Sequence, residues 1–117
     1  MSVSRKTGDV FDVILNSPSQ MIPDAQKNND GSWSFSTPRG NAHLTFQENR
    51  SFGILDPLYV DNEAKWEIPM RVIPSGDESE VIVTIVKPDS LTDDQFDERM
   101  AEIELMFSNL KKLIEQT

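Results

Sequence analysis

Apolar and polar positions change period along the chain, and each change marks a predicted element. Val10, Phe11, Ile14 and Leu15 recur at helical spacing, which predicts a short helix over Asp9–Asn16 with Thr7 as its cap and Asp9 at its positive end. Pro18 ends that helix or opens another turn, so Ser17–Pro23 is predicted as a second short helix that folds Met21 and Ile22 inward. A polar, Asn-rich stretch, Asp24–Gly31, follows. From Ser32 the period becomes two. Trp33 and Phe35 alternate with serines, Thr37-Pro38-Arg39-Gly40-Asn41 supplies a turn, and Ala42, Leu44 and Phe46 alternate with His43, Thr45 and Gln47. Phe52–Val60 continues as a strand after a turn at Glu48–Ser51. Trp66, Ile68, Met70 and Val72 alternate after the turn Asp61-Asn62-Glu63. The turn Pro74–Glu78 then leads into Val81–Val86, a β-branched run. With a strand stub at Ser2–Arg5, this makes a sheet of hairpin-linked, antiparallel strands.

The last segment, Thr92–Glu115, reads as one long amphipathic helix, because Phe96, Met100, Ile103, Phe107, Leu110 and Ile114 recur along one face. Thr92 and Gln95 match a capping box, acidic residues crowd the start, and Lys111 and Lys112 lie near the end. At about 1.5–3 kcal/mol per fully buried large side chain, the stripe would contribute roughly 10 kcal/mol of gross burial. The sheet is the only surface it could cover, so the fold class is α+β.

Composition narrows the function more by exclusion than by assignment. A length of 117 residues suits a single domain over 1–117. The net charge of -9 would repel phosphate backbones, so nucleic acid is not an expected partner. The absence of cysteine removes thiolate catalysis and sulfur-ligated metals. No apolar run approaches the roughly 18 residues of a membrane span, and Met1–Lys6 lacks the apolar core of a signal peptide, which leaves the cytoplasm as the expected location. One histidine and scattered acids form no metal-ligand set, and no glycine-rich phosphate loop or cofactor motif is present.

Four stretches carry a family resemblance: Gly8-Asp9-Val10-Phe11-Asp12, the hairpin Trp33…Thr37-Pro38-Arg39-Gly40-Asn41, Phe52-Gly53-Ile54-Leu55-Asp56, and Arg71-Val72-Ile73-Pro74-Ser75-Gly76-Asp77. With the order of elements, the chain resembles the START-like helix-grip (SRPBCC) superfamily, in particular a short polyketide-cyclase-like branch. The resemblance implies a curved antiparallel sheet wrapped around the long C-terminal helix, with two short N-terminal helices. It also implies a cavity for a small hydrophobic or amphipathic molecule between sheet and helix. Trp33, Phe35, Leu44, Phe46, Trp66, Ile68, Met70, Met100, Ile103 and Phe107 are the residues expected to line it. The same residues could instead interdigitate as an ordinary core.

Two residues are candidates for proton transfer. Asp56 lies within the apolar stretch Phe52–Val60, where a buried carboxylate would have a raised pKa and could serve a cyclase or dehydratase. The competing reading makes Asp56-Pro57 a bend whose side chain bonds to nearby backbone. His43 is out of phase with Leu44 and is expected on the outer face, while Arg71 is expected to be exposed or paired with a neighbouring carboxylate such as Glu67 or Glu80. The stub Ser2–Arg5 is shorter than the first strand of family members. Its exposed edge could dock a partner, as some relatives do with a chaperone ATPase, or a second copy as a homodimer.

Overall fold

The computed structural model describes residues 1–117 and contains eight strands and two helices: β1 (Ser2–Val3), α1 (Thr7–Met21), β2 (Gln26–Lys27), β3 (Trp33–Thr37), β4 (Gly40–Phe46), β5 (Pro57–Val60), β6 (Lys65–Glu67), β7 (Met70–Ser75), β8 (Glu78–Val83) and α2 (Asp93–Gln116). The class is α+β, with a curved antiparallel sheet and a long C-terminal helix. Strands β2 to β6 are neighbours in chain order, and a second group runs β1-β8-β7. The segment Gly53–Leu55 joins the groups, since Leu55 N donates to Met70 O at 3.1 Å and Val72 N donates to Gly53 O at 2.8 Å. Only glycine fits that crossing. Gly53 has φ of 65°, and a Cβ there would lie 2.4 Å from Val72 O.

Three predicted elements are redrawn. The two short N-terminal helices are one helix, because α1 runs through Pro18 without a break. Proline cannot donate to the carbonyl of Ile14, but Ser17 Oγ donates to that oxygen at 2.7 Å and the helix continues for another turn. Lys6, not Thr7, precedes the first helical residue, and it makes no side-chain cap. The expected strand Phe52–Val60 shortens to β5, since Arg50–Phe52 forms a 3-10 turn and Asp56 has φ of 35°. The expected strand through Trp66 and Val72 is likewise two strands, with Pro69 between β6 and β7.

The C-terminal helix begins where its capping box places it. Gln95 N donates to Thr92 Oγ1 at 3.2 Å, and Thr92 N donates to the Gln95 side chain at 2.9 Å. Its apolar stripe is unevenly used. Leu110 and Ile114 are buried, whereas Phe96, Met100, Ile103 and Phe107 are half-buried, so the stripe contributes less than a fully buried one would. No helix is long and apolar enough to cross a membrane.

The apolar core is split. One cluster gathers Val10, Phe11 and Ile14 of α1, Val3 of β1, Leu55, Met70 and Val72, Val81 of β8, and Leu110 and Ile114 of α2. The other is smaller: Ala64, Trp66 and Leu91, with Tyr59, Ile68, Phe96 and Ile103 packed against them. Helix α2 touches both clusters, and between them its middle turns stand off the sheet.

Candidate functional site

The space under those middle turns is a cavity of about 280 Å³, and 14 of its 20 lining residues are hydrophobic. Alternation within the strands and their register bring the sheet wall together. Trp33 lies opposite Leu44 and Phe35 opposite Ala42, while Leu44 lies opposite Tyr59, and Tyr59 opposite Trp66. Directly opposed residues of an antiparallel ladder share a face, so this face turns Phe35, Leu44, Phe46, Pro57, Tyr59 and Trp66 into the cavity. Ile68 and Met70 extend the wall, and Ile14, Pro18 and Met21 of α1 close one side. Helix α2 lies over the top through Arg99, Glu102, Ile103, Met106, Phe107 and Leu110.

Of the residues expected from sequence, Phe35, Leu44, Phe46, Trp66, Ile68, Met70, Ile103 and Phe107 meet on this wall, but Trp33 and Met100 do not. Trp33 shares the inner face and is buried, yet it sits one pleat beyond Phe35, past the end of the cavity. There it lines a second, more polar depression with Leu15, Asp30 and Phe46, and the Lys27 ammonium lies 5.7 Å from its ring centre. Met100 follows Arg99 by one position, which is roughly 100° around a helix of 3.6 residues per turn. The cavity faces the line Arg99, Ile103, Met106, Leu110, so Met100 points to one side of it.

Asp56 is also corrected: it is not on the cavity wall. The kink turns its carboxylate outward, where Oδ1 accepts from Met70 N at 3.0 Å and pairs with the Arg71 guanidinium. Asp56, not Glu67 or Glu80, is therefore the partner of Arg71, and the bend reading of Asp56-Pro57 holds. His43 is exposed on the outer face, its Nδ1 3.1 Å from Ser34 Oγ.

Sequence reasoning missed a charged cluster at one end of the cavity. Arg99 is 7% exposed and donates through Nη2 to Asp61 Oδ2 at 2.5 Å. Asp61 also accepts from Tyr59 Oη at 3.0 Å and from the backbone N–H groups of Glu63 and Ala64 at 2.9 and 3.0 Å. Arg39, from the turn between β3 and β4, bonds Glu102 at 2.6 Å and Glu63 at 3.0 Å. Burial alone would raise the Asp61 pKa, but the bonds from Glu63, Tyr59, Ala64 and Arg99 outweigh it and hold the carboxyl below its ordinary 3.8. Burial, followed by donation to Asp61, pushes Tyr59 from 10.0 up to about 12. One signal was present in the sequence: Arg99 stands three positions after Phe96 and four before Ile103, in phase with the buried stripe.

The carboxylates here are bonded to arginines, and no group of three or more acidic or histidine side chains is placed to hold a metal. Chemically, the site offers an apolar wall with polar groups gathered at one end. Comparison with protein-family models gives no match, and comparison with curated proteins gives none either.

Proposed function

We propose that the chain binds a small hydrophobic or amphipathic molecule in the cavity between the sheet and α2. The observation that carries this reading is the split core, whose two packed clusters are separated by an apolar cavity of about 280 Å³. Most of that space offers water few partners, because 14 of the 20 lining residues are hydrophobic and the charged ones, Arg39, Arg99 and Glu102, gather at one end. An apolar guest would bury wall that native packing otherwise covers. Met21, Met70 and Met106 on the wall add adaptability, since thioether side chains repack readily. The same arrangement supports a helix-grip fold of START-like type, here with one N-terminal helix and a two-residue β1.

Titration with a solvatochromic dye such as Nile red tests the reading. We expect saturable, one-site binding that is lost in Ile103→Trp, a substitution that fills the cavity from α2, while the circular dichroism of the fold is unchanged. Dye binding that persists in that variant, or fails to saturate in the parent, would reject the site.

A further inference from the structure

Strand β8 and the residues after it carry an uncovered edge. Strand β1 accompanies β8 only as far as Val81, where Met1 and Val81 exchange two backbone bonds of 2.8 Å. On the other side, Thr84 N donates to Pro69 O at 3.0 Å. Backbone groups alternate sides along an extended strand. With Val81 turned towards β1 and Thr84 towards Pro69, Val83 and Ile85 turn to the side that β1 leaves open. The strand pattern runs on past β8, since burial alternates from Val81 to Lys87, with every even position exposed. Ile85, Val86 and Lys87 donate no backbone hydrogen bond within the chain. Ile82 and Val86 are 45% and 65% exposed, and no charged residue or proline interrupts Val81–Val86. Charges and prolines are the devices by which folded proteins keep a free edge from pairing.

Two copies of this edge complement each other. In an antiparallel pair with Thr84 on a two-fold axis, Val83 lies opposite Ile85 of the second copy and Ile82 opposite its Val86. The open donors and acceptors then meet, because Val83 and Ile85 are the outward-turned residues on both copies. Thr84 faces its own counterpart in a pair without main-chain bonds, where Cα atoms approach to about 4.5 Å. Every position sets one β-branched side chain opposite another. The window is bounded at both ends, by Met1 beyond Ile82 and by Pro88, which cannot continue a ladder. Charge permits the approach. A net charge of -9 makes copies repel, but this stretch carries none of it. The flanking Glu80 is bound to the Met1 ammonium at 3.0 Å, and Lys87 to Asp93 at 3.2 Å.

We propose that the chain forms a two-fold symmetric dimer through this edge, with Ile82–Val86 of each copy pairing antiparallel about Thr84 and carrying the sheet from one copy into the other. At about 3.4 Å per residue the paired stretch spans roughly 17 Å. An edge of that length covers less than the ~800 Å² per partner of a stable interface, so the dimer is weak, with a dissociation constant on the order of 100 μM. No residue of β8 lines the cavity, so the dimer stands independently of the ligand reading.

Sedimentation velocity and cross-linking test the surface and its register together. The parent chain should pass from monomer towards dimer between ~10 μM and ~1 mM, the range that brackets the expected affinity. Thr84→Lys sets two like charges face to face at an exposed position, so it should stay monomeric over that range with an unchanged circular dichroism spectrum. The chain has no cysteine, so Thr84→Cys carries a single thiol. Mild oxidation should link Thr84→Cys into a dimer roughly tenfold faster than Val86→Cys, because only at the axis do the two Cα atoms come within the ~4.4–6.8 Å that a disulfide spans. If Thr84→Lys does not fold, the two cysteine variants decide. A parent that stays monomeric at ~1 mM, well above the expected dissociation constant, would overturn the proposal and leave the edge to a strand of another protein. A dimer that survives Thr84→Lys, or that links through Val86→Cys as fast as through Thr84→Cys, would put the contact on another surface or in another register and overturn it as well.

Discussion

At one end of the cavity, Ile14, Leu110 and Ile114 are sealed between α1, α2 and the β1-β8-β7 strands, and the buried hydroxyls of Ser17 and Ser79 beside them are satisfied by backbone carbonyls. At the other, Trp66 and Phe96 stack with ring centres 6.0 Å apart beside the Arg99–Asp61 pair. The first end gains stability from apolar area, which is non-directional and forgiving of side-chain shape. The second relies on hydrogen bonds that must be complete, because a low-dielectric site strengthens paired groups and penalises unpaired ones. Helix α2 is thus fastened towards one end by packing and towards the other by charge, and its turns from Arg99 to Leu110 roof the cavity between them. The difference teaches where this molecule can discriminate among guests. Apolar packing can select only for size, while the polar end can also select for chemistry.

The comparison is sharpest at Asp61. Removing one partner of a buried ion pair leaves the other uncompensated, so Asp61→Ala should lower unfolding free energy by about 3–5 kcal/mol, measured by urea denaturation. At the packed end, Ile114→Ala should cost about 2–5 kcal/mol by cavity formation, with ligand binding little changed once the protein is folded. A larger loss at Ile114 than at Asp61 would reverse the ranking of the two ends.

Acid should act at the polar end through Asp61, alongside Glu80 and Glu115, whose carboxyls are also held below their ordinary range by bonds from Ser2 and Ser4. The Asp61 carboxyl has a lowered folded pKa, so its contribution to stability is complete above the unfolded value of 3.8 and is lost as pH falls below that through the folded one. Equilibrium unfolding from neutral to strongly acid pH should therefore show a stability loss that Asp61→Asn reduces, the remainder belonging to Asp30, Glu80 and Glu115.

Base acts at the same end through Tyr59, the only tyrosine. Its folded pKa is raised, so its contribution is present below 10.0 and is lost as pH rises from there towards 12. Phenolate absorbance of the native protein should titrate near 12, against 10.0 for the urea-unfolded chain. A native midpoint at 10.0 would show that the Tyr59 hydroxyl is neither buried nor held by Asp61.

The smallest effect is expected away from both ends, at Asp56. Its pair with Arg71 is about one-third exposed on each side, and pairs of that kind contribute roughly 0–1 kcal/mol. Asn at this position keeps an acceptor for Met70 N and tolerates a positive φ. Asp56→Asn should therefore shift stability by less than about 1 kcal/mol and leave dye binding unaltered. A large loss of binding would return Asp56 to the site.

Much of the architecture was readable locally. The capping box at Thr92 and Gln95, the hairpin at Pro38-Arg39 and the alternation that groups Phe35, Leu44, Phe46 and Trp66 on one face all depend on neighbours in sequence. What was misread depends on groups that meet across the fold or escape a simple rule. Pro18 signals a break, but the Ser17 hydroxyl satisfies the carbonyl that proline orphans. Asp56 in an apolar run left a buried acid and a backbone-bonded bend both open, and the bond from Met70 N decides for the bend. Trp33 has the right phase but lies past the end of the cavity along its strand, and Met100 stands to one side of the line of α2 that faces it.

By itself, then, the sequence determined the α+β class, the long capped helix and the inner face of the sheet, because periodicity and caps act within a few residues. Only the tertiary structure decided that the facing stripes do not close into one core and that Arg99 is drawn inward to Asp61 across 38 positions of chain. Those outcomes turn on the distance at which a curved sheet holds a helix fastened at both ends, and no local pattern of residues encodes that distance.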